Sequence, residues 1–285
     1  MPFVCFVRFC KSFCLCVLVV QISLYRSALL VRNKPGASSA WPRFERGFRD
    51  SPERFSAGAR GLGCRLAIVG RRKHFLEETA DELVKSTGRR PLILAEDITD
   101  RDAPRRIKAA VLETFGRLDI LINNAGGSRP IKAGLGTPEE WEEGMRLNFD
   151  AGRNLAHTLV DSMQAQKFGR IINLTGTQEP LGFNAAIPPN GAVTIWSKLL
   201  ASVVAKDGVT VNCISPGIVH SEQIDDRVFP SLQEQEDYAG KEIPVGYIGE
   251  AEDVALMAVF LCSPRARYTT GEVIYVDGGA KRYPH

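Results

Sequence analysis

No acidic residue precedes Glu45, and residues 1–72 carry 13 Lys or Arg against only 3 Asp or Glu. The remainder carries 23 against 30, so the net charge of +3 conceals an acidic body behind a basic N-terminal segment. That segment has no nucleic-acid recognition fold and no aromatic stacking platform, which argues against a nucleic-acid partner. Long apolar runs are missing too. The uncharged stretch Phe13 to Tyr25 has thirteen residues, short of the roughly 20 that a membrane-spanning helix needs. Its charged approach (Arg8, Lys11) and apolar middle resemble a secretory signal, yet Gln21 and Ser23 interrupt it and no small-x-small cleavage pattern follows. The recurrence of Arg and Ser without acid fits an organelle presequence, and an unordered or artificial extension fits equally. Residues 1–34 therefore hold the alternatives of organelle targeting or membrane association, against a cytoplasmic protein with no membrane role. Zinc-site spacing is also absent from the cysteines. Cys5, Cys10, Cys14 and Cys16 crowd the first sixteen residues, and Cys64, Cys213 and Cys262 are scattered singly, as buried thiols of a reducing compartment would be. No metal site is expected.

What is present is a regular alternation. At 285 residues, 44% of them hydrophobic, the chain can build one large core but not two domains of that size. Leu118-Asp119-Ile120-Leu121-Ile122 is too short for a helix and too continuously apolar for a strand with one wet face, so it reads as a central strand buried on both sides, with Asp119 structural. Short apolar runs at Leu66–Val69, Leu92–Leu94, Ile171–Leu174, Val209–Ile214 and Val273–Val276 read as further strands. Helical spacing marks Leu76 to Val84, Ile107 to Phe115, Trp141 to Leu159, Gly191 to Ala205 and Glu250 to Leu261. Thr137-Pro138-Glu139-Glu140 combines a capping hydroxyl, a first-turn proline and a glutamate three residues after the cap, the clearest helix start in the chain. Strands alternating with helices imply an α/β fold, a doubly wound parallel sheet in three α/β/α layers. Residues 1–26 are set apart as an N-terminal extension and 27–285 as the single domain, with Ala28–Val31 as its first strand. Glu222 to Ile243 lacks strong periodicity and reads as a mobile lid.

Several stretches together resemble the short-chain dehydrogenase/reductase family, from about Gly63 to Gly279. They are Asn123-Asn124-Ala125-Gly126 after the central strand, Arg71-Arg72 after an earlier one, Asp97-Ile98 after the next, Asn148 in a helix, Lys198 in Trp196-Ser197-Lys198, Ser215-Pro216-Gly217, and Val276-Asp277-Gly278-Gly279. The resemblance implies a Rossmann-type fold and NADP(H)-linked conversion between a carbonyl and a secondary alcohol, close to the 3-oxoacyl-acyl-carrier-protein-reductase-like branch. The partner it implies is a small-molecule carbonyl or alcohol substrate, and it implies a homodimer or homotetramer paired through the long helices after the central strand. Two family features are missing. Gly36-Ala37-Ser38-Ser39-Ala40 resembles half of the glycine-rich turn, but Trp41-Pro42 follows where further glycines belong, as a reading-frame disruption between Ala40 and Gly63 would produce. A tyrosine four residues before the lysine is also absent, its place taken by Thr194.

Carried over residue by residue, the resemblance implies the following. Gly36 and Ser38 would approach the pyrophosphate at a helix start. Arg71, where an acidic residue would favour an unphosphorylated ribose, would read a 2′-phosphate and so favour NADP(H) over NAD(H). Asp97 and Ile98 would flank adenine, and Asn124, Ala125 and Gly126 would let the cofactor lie against backbone. Pro216, Gly217 and Val219 would line the nicotinamide, and Ser221 would touch phosphate. Asn148 would hold a water in a proton relay to Lys198, which would itself bond the nicotinamide ribose. Thr175 or Thr177 would stand in for a carbonyl-orienting serine. Thr194, an aliphatic alcohol, is too weak an acid to replace the phenol. The rival expectation is a non-catalytic relative that keeps the fold as a ligand-binding or assembly partner.

Overall fold

The computed structural model describes residues 16–20, 65–176, 182–221 and 224–281. Seven strands form one parallel sheet, β1 (Cys16–Val20), β2 (Arg65–Gly70), β3 (Leu92–Ala95), β4 (Ile120–Asn123), β5 (Gly169–Leu174), β6 (Val209–Pro216) and β7 (Val273–Val276). They run in the order β3-β2-β1-β4-β5-β6-β7. The order reverses direction between β1 and β4, so the carboxyl ends of these strands open a crevice in which α/β folds bind ligands. The doubly wound, three-layer architecture is the one the alternation implies.

The first strand differs from its expected place. Cys16–Val20 pairs in parallel with both β2 and β4, Val19 opposite Ile68 on one side and Ile122 on the other. It therefore lies inside the stretch set apart as an extension, while Ala28–Val31 falls outside the described residues. Both runs are short and apolar, and local pattern does not rank them. The choice rests on register against the two neighbouring strands.

Alternate strand residues feed two cores, because side chains in a strand point to opposite faces. On one face Leu66, Ile68, Ile120, Ile122, Ile172 and Ile214 pack with Leu76, Ala80 and Leu83 of α1 (Lys73–Thr87) and Val254, Ala258 and Leu261 of α7 (Ala251–Cys262). On the other, Ala67, Val69, Leu121, Ile171, Val209 and Val211 meet α2 (Ala103–Phe115), α4 (Ala151–Ala165) and α5 (Ile187–Val204). Every residue of β4 is buried, as a continuous apolar run requires. Asp119 is wholly buried and takes a double contact from Arg117 at 3.0 and 3.1 Å from Nε, so its charge is paired and its role structural.

Helix α3 (Pro138–Met145) begins at the expected capping box, with Glu140 N donating to Thr137 Oγ1 at 3.3 Å and Thr137 N donating to Glu140 Oε2 at 2.8 Å. The single helix expected from Trp141 to Leu159 is instead divided. A π-helical turn over Arg146–Asp150 separates α3 from α4. Ile224 to Ile243 carries more regular structure than its pattern suggests. It contains a π-helical turn at Ile224–Val228 and α6 (Leu232–Glu242), which starts at a second capping box on Ser231 and Glu234. The weak periodicity reflects how little of α6 is buried, Ala239 being its buried residue. Among the described residues, no helix is long and apolar enough to cross a membrane and no His/Cys/Asp/Glu group is placed to hold a metal ion.

Candidate active site

The loop after β4 is held by one amide. Asn148 Oδ1 accepts from Gly127 N at 2.8 Å, and Asn148 Nδ2 donates to Gly144 O at 3.0 Å. The π-helical turn carries Asn148 to that loop, since an inserted residue redirects the side chains of a helix. A Cβ on Gly126 would lie 2.9 Å from Asn148 Oδ1, so glycine there is required by the clamp itself. Asn123, the last residue of β4, donates to Asn173 Oδ1 at 2.8 Å, and Asn173 Nδ2 donates to Ser197 Oγ at 2.8 Å. The same hydroxyl receives the Cys213 thiol at 3.2 Å. This buried polar chain ties β4, β5, α5 and β6 together directly beneath the crevice. Burial pushes the Cys213 thiol up to about 11, against the opposing bonds to Ser197 and Asn173.

Above the chain lies a cavity of about 550 Å³. Its inner wall gathers Asn124, Ala125, Gly126, Asn148, Thr175, Pro216, Gly217, Val219 and Ser221, residues assigned from sequence to one site. Thr175 N donates to Ile214 O at 2.9 Å, which fixes the end of β5 against β6. Ser221 Oγ accepts from Ile224 N at 3.3 Å and starts the π-helical turn at Ile224–Val228. Val219 bridges Gly249.

Arg71, Asp97 and Ile98 lie apart from this cavity, at the ends of β2 and β3. Arg71 Nη1 stands 3.9 Å from Asp97 Oδ2, with the guanidinium largely exposed. Asp97 Oδ1 accepts from both the amide and the hydroxyl of Thr99, at 2.9 and 2.8 Å. Partial burial opposes ionisation of Asp97 most strongly, but the two Thr99 donors, with Arg71 and Arg146 nearby, together hold its pKa below the ordinary carboxylate value. Arg72 turns instead over the Phe75 ring, 4.1 Å from its centroid. Gly36, Ser38 and Thr177 lie outside the described residues.

Thr194 and Lys198, assigned from sequence to the same site, are not brought to this cavity. Thr194 Oγ1 donates back to Gly191 O at 2.8 Å within its own helix, and Lys198 is exposed, its Cγ near Gly271. The buried stripe of α5 is Pro189, Asn190, Val193, Ser197, Ala201 and Val204, and Ser197, bonded to the sheet, locks that face inward. The residues that α5 presents to the cavity are Ala186 at its start, with Ile187 and Asn190. Ala186 and Asn190 have the same four-residue spacing as Thr194 and Lys198, two helical turns earlier. Sequence reasoning missed Asn190 because α5 is apolar on two sides. Ile195, Leu199 and Val203 form an exposed stripe opposite the buried one, so periodicity did not mark which face turns inward. Sequence reasoning also left Asn184 unassigned; its Oδ1 accepts from Arg129 N and Ala186 N, both at 2.9 Å, at the cavity edge.

A family model described as enoyl-(acyl carrier protein) reductase matches residues 56–281. The chain belongs to the short-chain dehydrogenase/reductase family. It is 32% identical over 211 residues to the 3-oxoacyl-[acyl-carrier-protein] reductase FabG of Haemophilus influenzae, covering 71% of this chain and 84% of that one. It is 36% identical over 177 residues to an acetoacetyl-CoA reductase of Rhizobium meliloti, covering 60% and 71%. Among solved structures it resembles L-sorbose reductase of Gluconobacter frateurii in complex with NADPH and L-sorbose, with TM-score 0.72, 30% identity, and 78% and 89% of the two chains covered. The cavity end of α5 carries Ala186 and Asn190, with no ionisable side chain at either position.

Proposed function

We propose that this protein is an NADP(H)-dependent oxidoreductase that interconverts a carbonyl and a secondary alcohol. The observation that carries the reading is the crevice at the sheet's reversal point, where the Asn124–Gly126 loop and the Pro216–Val219 segment line one cavity, with Arg71 standing apart from it at the end of β2. Hydride chemistry comes from the nicotinamide when it is bound. The chain's own residues bind and orient. Arg71 would pair with a 2′-phosphate, for which a guanidinium is a bidentate match, and Asp97 and Ile98 would border adenine. Asn124, Ala125 and Gly126 would bring backbone against the dinucleotide. Pro216, Gly217 and Val219 would seat the nicotinamide, and Ser221 a phosphate. Thr175, buried at the cavity floor, would bond the substrate oxygen. Asn148 would act through the loop it clamps, as a positioning residue. Asn190, in the place expected of Lys198, would bond ribose hydroxyls without supplying charge. The partner is a small carbonyl or alcohol, and the relatives' names support a 3-oxoacyl thioester or a ketose as its class. Cys213 and Cys262 are buried thiols outside any disulfide, which supports a cytoplasmic setting. The exposed Ile195, Leu199 and Val203 stripe on α5 supports a homodimer or homotetramer.

The test is a titration of the full chain with NADPH and NADH by calorimetry. NADPH should bind more tightly, and Arg71→Asp should cost about 1.5–3 kcal/mol of NADPH affinity, the worth of a charge-assisted bond. Equal affinity for the two cofactors would refute the role of Arg71. A second reading, a non-catalytic relative, is favoured by one observation: Ala186 and Asn190 leave the helix side of the cavity without a proton donor. Tight NADPH binding with no turnover of any carbonyl would select it.

A further inference from the structure

We infer that the proton for carbonyl reduction comes from Tyr238 of the lid helix α6, on the opposite side of the cavity from α5. This rests on the oxidoreductase reading above. The inner wall offers carboxamides (Asn124, Asn148, Asn190) and aliphatic hydroxyls (Thr175, Ser215). These groups orient a carbonyl but do not give up a proton near neutral pH. The titratable side chains that line the cavity, among the described residues, are all on the lid and β7 side: Tyr238, Glu242, Tyr275, Asp277 and Lys281.

Three of these five, Asp277, Lys281 and Glu242, have partners of their own. Asp277 accepts Gly279 N on one carboxylate oxygen and Lys281 N on the other, both at 2.9 Å, and so holds its own turn. Lys281 Nζ stands 3.7 Å from the centroid of the Tyr275 ring, a contact that engages the ammonium on the ring face and leaves the Tyr275 hydroxyl as the second candidate donor, which the Tyr275→Phe variant below tests. Glu242 lies 3.5 Å from Lys241 Nζ. Tyr238 differs. Its ring is held against Phe229, with centroids 4.5 Å apart, and packs on the cluster of Ala239, Ile243 and Ile248. Its hydroxyl has no hydrogen-bond partner among the described residues. A half-buried phenol with a fixed ring and a free hydroxyl, facing a cavity, is arranged to meet a ligand. Ile218, at the centre of the Pro216–Val219 segment proposed to seat the nicotinamide, packs on the same cluster. The phenol is thus placed beside the end of the cavity where hydride would be delivered.

NADPH, when bound, would supply hydride to the carbonyl carbon, and the C=O π electrons would move to oxygen. That oxygen takes the proton from Tyr238 Oη as the phenolic O–H bond breaks. The phenolate regains a proton from solvent at the rim. Alcohol and oxidised cofactor leave.

The experiment compares the full-length wild type, Tyr238→Phe and Tyr275→Phe, with acetoacetyl-CoA and L-sorbose as carbonyl probes, and NADPH binding followed separately by fluorescence. A positioned general acid is worth about 10²- to 10⁴-fold. Tyr238→Phe should therefore lower kcat at least about 100-fold with NADPH affinity unchanged, and Tyr238→His should recover part of the rate with a pH profile moved to lower pH. Tyr275→Phe should stay near wild type. Full turnover in Tyr238→Phe overturns the assignment, as does wild type that binds NADPH yet reduces neither probe. Failure of wild type to bind NADPH overturns the oxidoreductase reading itself, and this assignment with it.

Discussion

Replacing Asn173 by alanine should be among the most damaging single changes in the crevice floor. Asn173 is almost fully buried and bonds on both sides, accepting from Asn123 and donating to Ser197, each at 2.8 Å. Without it, Asn123 Nδ2 keeps, among the described residues, only a long 3.4 Å contact to Gly152 O, beside an Oδ1 that already has no partner there. Ser197 keeps only the Cys213 thiol at 3.2 Å, a weak donor. Each buried polar group left unpaired costs about 1–3 kcal/mol, and the vacated volume adds to that, so a loss of about 3–5 kcal/mol is expected. Urea unfolding with an unchanged m-value would measure it. Ser197→Ala alone should cost about 1–2 kcal/mol. The double variant should lose less than the sum of the two, by at least about 0.5 kcal/mol, because the residues share one network. A loss under about 1 kcal/mol for Asn173→Ala, or strict additivity, would show that the chain of amides does not hold α5 to the sheet. The explanation for the inward face of that helix would then fail.

Other consequences follow from the same geometry. Thr194→Tyr should leave carbonyl turnover unchanged within about two-fold, with or without Lys198→Ala, because neither side chain faces the cavity; a gain that needed Lys198 would restore the pairing expected from sequence. The Cys213 thiol, pushed up to about 11, should resist iodoacetamide in the folded protein at about pH 8, where an ordinary thiol near 8.5 reacts, and rapid labelling without unfolding would contradict its burial. Asp97 has a lowered folded pKa, so its contribution to stability is fully present above its unfolded value and is lost as pH falls through the folded one. The gap in urea midpoint between wild type and Asp97→Asn should accordingly shrink from about pH 6 towards pH 3, and a gap that widened would reverse the sign. Leu199→Glu, on the exposed stripe of α5, should convert an oligomer to a monomer in light scattering, whereas an unchanged mass would move the interface elsewhere.

The sequence alone determined the sheet's interior and several element ends, because those depend on local composition. A five-residue stretch with one charge could only be a strand covered on both faces, and β4 is buried throughout. Thr137 and Glu140 satisfy each other's backbone amides wherever the helix goes, so their capping box was legible without a fold. Family motifs likewise placed the Asn124–Gly126 and Pro216–Val219 walls, which follow strands directly and inherit their positions. Tertiary structure decided what local pattern leaves equal. Cys16–Val20 and Ala28–Val31 are both plausible short strands, and only parallel registration between β2 and β4 selects the former. Helix α5 has apolar residues on opposite sides, so its rotation was set by Ser197 bonding across fifty residues of network from Asn123 to Asn173 and onward. That rotation turns Thr194 and Lys198 aside and brings Asn190 to the cavity. A hydrogen bond to a distant strand, invisible in the helix's own sequence, thereby determines which side chains the site contains.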